Sequence, residues 1–452
     1  MVNPVKGEAG SVEGEAELKE SRLSRFLARR WAVPLVIAGA VAIVTLACLT
    51  PDLFARWQLA RERDAIRARG EPAALAELAP EMPPDDDNAA VLLVQAFKLM
   101  DAASASEPAD WTEFFRADDD AHRADAAAAV KLHAKAMALA REALKRPRCV
   151  FDLDYEKGPH LELPHLSKLR HLARLFAAEA ILNALNARET KAADGIHHVL
   201  LLVGALDEEP LAISKLVAVS ILGRGVESLK EVEEVADLSD ENRDLLLRDL
   251  RSLDFEAAVT QSLVEERVFL LSVKPSDLVY TRNWLERGHV EFRAGLSLAE
   301  RLRVLRLMSA TIAASRLPPW EARPVARERY AQVGQIMDWD HLGVPATVKD
   351  AWKFRFSPFV RAMAARDAAV IGLSCELFRS ARGRCPATLD ELSPEFLDKL
   401  PPDPFTGKPF NYELREDGTS FIVYSVGSNL ADDGGVRDIA KGKYDISWEG
   451  KE

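Results

Sequence analysis

Apolar positions along this chain fall into three patterns, and the first is an unbroken run. From Trp31 to Leu49 the sequence reads WAVPLVIAGAVAIVTLACL, nineteen residues without a charge. As a helix this run reaches about 28 Å, close to the roughly 30 Å hydrocarbon core of a bilayer, and it predicts a single membrane span. Arg22, Arg25, Arg29 and Arg30 precede the run, while only Arg56 lies in the ten residues after it. That asymmetry predicts a cytoplasmic N-terminus and an extracytoplasmic bulk. A cleaved signal peptide needs a shorter apolar region and a small-x-small site, and no compelling site is present. Residues 1–30 are polar and mixed in charge, a tail on the cytoplasmic side.

The second pattern has a helical period. Residues 52–79 read as a helix leaving the membrane, stopped by Pro80 and by Pro83-Pro84, so 50–84 form a juxtamembrane helix and linker. Asp85-Asp86-Asp87-Asn88 precede the periodic run AAVLLVQAFKLM and read as a capped helix start, with a cation site as the alternative. Further helices are predicted at 124–145, 166–187, 196–202, 211–235, 239–253 and 255–273. Short breaks such as Arg188-Glu189-Thr190 predict antiparallel αα-hairpins. The hairpin near 166–209, with small Ala at its crossing positions, is similar to tetratricopeptide-like repeats. No period of about 34 residues is sustained, so an irregular helical domain and a repeat array both stay open. This helical domain spans 85–316. Leu317-Pro318-Pro319-Trp320 and Pro324 then mark a hinge, and 317–356, with Trp339 and Trp352, form a connector.

The third pattern is alternation, confined to the C-terminus. A helix over 358–382 is followed by the turn residues Asp403-Pro404 and Thr406-Gly407. Phe410-Asn411-Tyr412-Glu413-Leu414 and Phe421 to Val426 then read as strands around the hairpin signal Asp417-Gly418. The fold class is therefore mainly α: an N-terminal transmembrane helix, a helical-hairpin domain, and a small C-terminal α+β module with an antiparallel hairpin at 357–452. The motifs of that module are contiguous, which predicts that it folds alone.

Composition narrows the function classes. Lys and Arg total 59 against 71 Asp and Glu, a net charge of −12, which argues against a nucleic-acid partner. Hydrophobic residues make up 48 % of the chain, enough for real cores. Four Cys exclude a disulfide scaffold; Cys375 and Cys385 flank the end of one helix and could be bridged outside the cytoplasm or stay as free thiols. Thr45-Leu46-Ala47-Cys48 matches a lipoprotein box only loosely, with Thr in place of Leu. His160, His165, His171 and the pair His197-His198 fit no zinc helix and have no Cys-x-x-Cys partner. No Gly-x-Ser-x-Gly elbow, phosphate loop or dinucleotide fingerprint occurs. No catalytic residues are therefore assigned.

One region carries a family resemblance. Gly383-Arg384-Cys385-Pro386, Pro402-Asp403-Pro404-Phe405-Thr406-Gly407-Lys408-Pro409, Tyr424-Ser425-Val426-Gly427, Asp432-Asp433-Gly434-Gly435 and Asp445-Ile446-Ser447-Trp448 follow one another in order. Together they resemble the periplasmic domain of the major pseudopilins of type II secretion systems. Cys385 stands where that family has Tyr, and the family's N-terminal processing signal is missing, which argues against assembly into a pseudopilus. The whole chain also resembles uncharacterised membrane-anchored proteins of planctomycete-type bacteria. The pseudopilin resemblance implies a structural Ca²⁺ in the acidic loop, with Asn429, Asp432, Asp433, Asp438 and Asp445 as ligands. The spacing is not that of an EF-hand, and a solvated acidic turn is the alternative reading. The expected function is that of a non-enzymatic, membrane-anchored envelope protein, a scaffold for an unidentified protein partner. A component associated with a type II secretion or pilus-like system, and a hydrolase with an unrecognised site, are the alternatives.

Overall fold

The computed structural model describes residues 54, 56–103, 120–272, 298–336, 356–415 and 418–450. The predicted tail at 1–30, the predicted span at 31–49, and Trp339 and Trp352 lie outside them. Among the described residues no helix is long and apolar enough to cross a membrane. The described residues fall into two units, a small one with 56–65 and 298–302 and a large one with the rest from 66 onward. In the small unit residues 56–65 are helical. Phe54 and Trp57 stack with ring centroids 5.8 Å apart, and the Arg61 guanidinium lies over the Trp57 ring at 4.8 Å.

In the large unit the first helix stops earlier than the prolines at 80 and 83 suggest. Gly70 adopts φ +73°, Glu71 N–H donates to Ile66 O at 3.3 Å and Gly70 N–H to Arg67 O at 2.9 Å. This left-handed cap satisfies the last carbonyls and ends the helix. The chain then builds α1 (Ala89–Ala103), α2 (Asp120–Leu132), α3 (Ala134–Ala143), α4 (Pro164–Leu185), α5 (Glu189–Gly204), α6 (Ala212–Val235), α7 (Asp240–Ser252) and α8 (Phe255–Ser272). The capped start before α1 has a different keystone from the aspartates. Asn88 is buried, its Oδ1 accepts from Ala90 N–H (3.1 Å) and Val150 N–H (2.9 Å), and its Nδ2 donates to Val150 O (2.8 Å).

Helices α4, α5 and α6 pack on one another, as the short turns predict. Leu169, Leu172, Phe176, Ala180 and Ala184 on α4 and Ala192, Ile196, Val199 and Val203 on α5 are all buried in one cluster, and Gly195 of α5 lies so close to α4 that a Cβ there would stand 2.8 Å from that of Ala180. Two buried arginines inside this unit are paired with carboxylates. Arg243 is buried and donates to both carboxylate oxygens of Glu233, at 3.1 and 3.0 Å. Arg267, fully buried, donates to Glu71 at 2.7 Å.

After α9 (Leu298–Ala314) and α10 (Pro319–Ile336) comes α11 (Phe356–Arg382). One side of α11 packs on α6, α7 and α8; another carries the strands β2 (Phe421–Ser425) and β5 (Ile446–Glu449). The predicted hairpin is present: β1 (Asn411–Leu414) pairs antiparallel with β2, with Asn411 opposite Tyr424. The strand β5 adds to the other edge of β2, giving the order β1-β2-β5, while the two-residue strands β3 (Arg437–Asp438) and β4 (Lys443–Tyr444) pair with each other in the intervening loop. Trp448, on β5, is fully buried against Gly372 of α11. One contiguous cluster of buried apolar side chains runs from the helical hairpins through α11 into the sheet, and a smaller cluster gathers around Val304 and Met308. Isolating 357–452, the module expected to fold alone, would expose the face of α11 that α6, α7 and α8 cover.

Candidate functional site

The acidic loop between β2 and β5 holds the four aspartates and the asparagine singled out in the sequence, tied into a network of hydrogen bonds. It opens at Gly427, whose φ is +66° and where a Cβ would stand 2.0 Å from Tyr444 O, so only glycine fits this close approach. The preceding Ser425 is fixed by Asp403: its Oγ donates to Asp403 Oδ1 at 2.9 Å, and the same carboxylate oxygen accepts Phe405 N–H at 2.8 Å. From α10, Arg323 donates to Ser428 O at 2.6 Å and lies over the Phe405 ring. The loop therefore starts from a rigid support.

Within the loop three carboxylates interlock. Asp445 is fully buried, and its Oδ2 accepts Asp433 N–H (2.9 Å) and Gly435 N–H (2.8 Å). Asp433 Oδ2 accepts from Tyr444 N–H (3.0 Å) and from Asn429 Nδ2 (2.9 Å). Asp432 Oδ1 accepts from Gly434 N–H and from the Tyr424 hydroxyl, both at 3.0 Å. The second oxygen of Asp445, Oδ1, is buried with no hydrogen-bond partner. Burial raises the Asp445 carboxyl, the charges of Asp433 and Asp432 add to this, and the two N–H bonds oppose it. Asp433 is held low by its bonds from Asn429 and Tyr444.

Of the five residues singled out in the sequence, Asn429, Asp432, Asp433 and Asp445 share this network. Asp438 is used differently: it caps the 3₁₀ turn Ile439–Lys441 by accepting Lys441 N–H at 3.2 Å, and it pairs with the Lys441 ammonium at 3.0 Å. Among the described residues no group of three His, Cys, Asp or Glu stands ready around a metal position. The donor set nevertheless suits a hard cation, being all oxygen, with one buried carboxylate oxygen left without a donor. The contributions of Tyr424 and Asp403 were not legible beforehand, because each depends on a contact across the sheet or between turns.

Other reactive groups are engaged structurally. His165 Nε2 lies 2.8 Å from Glu209 Oε2, and Ser214 Oγ donates to Glu209 Oε1, with all three residues buried. The glutamate stands between serine and histidine, so the imidazole does not face the hydroxyl as it does in a Ser-His-Asp triad. His197 Nδ1 bonds Asp249 at 2.5 Å, and this bond raises its pKa. His198 is lowered by burial and stacks on Phe176. His171 and His197 have different neighbours: His133 for the first, Asp249 for the second. A cleft of about 580 Å³ between α7 and α11 is lined by Glu189, Asp237, Asp240, Arg243, Glu376 and Arg379. Its charges largely face each other: Arg379 pairs with Glu376 at 2.6 Å, and Arg243 with Glu233, Asp237 and Asp240. Cys149, Cys375 and Cys385 are buried free thiols. Burial raises the Cys375 thiol, and Cys385 donates to Thr419 O.

Comparison with family models, with curated proteins and with solved structures finds no match to this chain.

Proposed function

We propose that this chain is a non-enzymatic envelope protein, held by a single span at 31–49 with its N-terminus in the cytoplasm. Its helical domain serves as a scaffold for a protein partner, and its C-terminal loop takes a structural Ca²⁺. The observation that carries the calcium reading is the fully buried Asp445 with an unpartnered Oδ1, beside Asp432 and Asp433. A buried carboxylate oxygen without a donor is costly, and a divalent cation would supply what the N–H groups on Oδ2 leave unmet. Asp432, Asp433 and Asp445 would hold the ion, with Asn429 able to contribute its carbonyl oxygen; Asp438, already paired with Lys441, would contribute least. The ion would brace a loop of low apolar content. The scaffold reading is supported by the large unit itself, where the histidines and buried charges make internal structural pairs. The ordered motifs around Asp403 and Tyr424 keep association with a type II secretion or pilus-like system as the second reading.

Thermal melting of the full chain in detergent tests the calcium reading. With a dissociation constant near 10⁻⁴ M, 1 mM Ca²⁺ adds about 1.4 kcal/mol, or roughly 2–4 °C in Tm. Chelator should remove that increment from the wild type and leave Asp445→Asn unchanged. Identical melting of the wild type with Ca²⁺ and with chelator would overturn the reading.

A further inference from the structure

The same loop exposes apolar side chains that the fold gives no cover. Leu430, Val436 and Ile439 are 55, 44 and 57 % exposed. Leu430 holds φ +60°, a left-handed backbone that is disfavoured for a side chain of its kind. The surrounding hydrogen bonds impose it: Asn429 Oδ1 accepts Ala431 N–H at 3.3 Å, and Asn429 Nδ2 donates to Gly442 O at 3.2 Å. That second bond ties the Leu430 turn to the end of the Ile439–Lys441 turn, so the apolar residues belong to one loop cluster. Between them stand cations. Arg437 and Lys441 are exposed and Lys443 is half-buried, while Arg361 on α11 lies within electrostatic range of Arg437.

Single exposed apolar side chains interleaved with Arg and Lys are the composition of a surface that dips into a lipid headgroup layer. A protein groove-binder would instead present a contiguous stripe. Charge selects the sign of the lipid. From Ser428 to Asp445 there are four carboxylates (Asp432, Asp433, Asp438, Asp445) and three cations (Arg437, Lys441, Lys443), a net of −1. A bound Ca²⁺ would change that to +1 and reverse the interaction with an anionic surface. We infer that the loop Ser428–Asp445 is a Ca²⁺-dependent docking surface for anionic phospholipid. The inference rests on the calcium reading of the same loop and on the tether at 31–49, which keeps a bilayer at high effective concentration. Leu430, Val436 and Ile439 would enter the headgroup layer, Arg437 and Lys441 would meet the phosphates, and the ion would suppress repulsion by the carboxylates.

Amide hydrogen exchange on the full chain in nanodiscs tests this. Discs of pure phosphatidylcholine are compared with discs containing phosphatidylglycerol, each with Ca²⁺ or chelator, beside the detergent-solubilised chain and a parallel calorimetric titration. Exchange across residues 436–442 should slow about tenfold or more in phosphatidylglycerol discs with Ca²⁺ alone. The double variant Val436→Ser/Ile439→Ser alters only exposed side chains, so it should keep the heat of Ca²⁺ binding and lose the slowing. Equal slowing in phosphatidylcholine discs or detergent, or slowing that persists in chelator, would overturn the inference. A heat of Ca²⁺ binding without lipid-dependent slowing would leave the calcium reading intact and overturn the docking surface; a protein occupant would give that result. No heat and no slowing would overturn both.

Discussion

Glu231 lies on α6 with its carboxyl pushed from an ordinary 4.5 up to about 7. Burial is the largest cause, Arg224 opposes it, and the like charges of Glu234 and Glu227 add to it. The folded state therefore holds a proton there that the unfolded chain releases near 4.5. Because the folded pKa is the higher one, the stability this group contributes is complete below about 4.5 and is lost as pH rises through about 7. Glu231→Gln keeps the shape and removes the titration. The full change from 4.5 to about 7 corresponds to roughly 3 kcal/mol at about 1.4 kcal/mol per pH unit. Glu231 is only partly buried, and solvent screening brings the expected effect to about 1–2 kcal/mol. Urea unfolding of the full chain, followed by helical circular dichroism, should show the variant more stable than the wild type by that amount at pH 8. The difference should shrink toward zero at pH 4.5. A difference that does not vary with pH, or a variant less stable at pH 8, would refute the reasoning.

Gly372→Ala should lower stability by about 1–3 kcal/mol in the same assay, because the new methyl would stand 2.1 Å from Trp448 and force the indole off β5's packing position; an unchanged midpoint would show that the sheet does not depend on that contact. Protease added to intact spheroplasts should digest the chain beyond residue 51, as the arginines before the predicted span require, and full protection would refute that orientation.

What was legible in the sequence was local. The breaks expected at Arg188-Glu189-Thr190 and before Leu211 fall close to the turns between α4, α5 and α6, although the first turn is 186–188 and Glu189 and Thr190 already open α5, because short-range periodicity and turn chemistry determine them only to within a residue or two. The hairpin around Gly418 formed as expected, with Gly418 N–H donating to Arg415 O. The stop at Gly70 could have been found, since a glycine after a basic last turn is a recognised helix end. What was not legible depends on distance along the chain. The pairing of β5 with β2, the buried trio of His165, Glu209 and Ser214, and the core shared through α11 join residues that only the tertiary fold brings together. The site was half legible. The pseudopilin resemblance pointed to the acidic loop, but the separate employment of Asp438 follows from a 3₁₀ turn that its sequence does not announce. The burial of Asp445 follows from its position at the entry to β5, beneath Gly435.

Calorimetric titration of the full chain with Ca²⁺ decides whether the acidic loop holds an ion. One site per chain is expected, with a dissociation constant of about 10⁻⁴–10⁻³ M, as for extracellular calcium modules. Asp445→Asn should abolish the heat, while Asp438→Asn should weaken binding only slightly, because Asp438 is committed to the Lys441 turn. No heat at millimolar Ca²⁺, or binding that survives Asp445→Asn, would contradict the calcium reading.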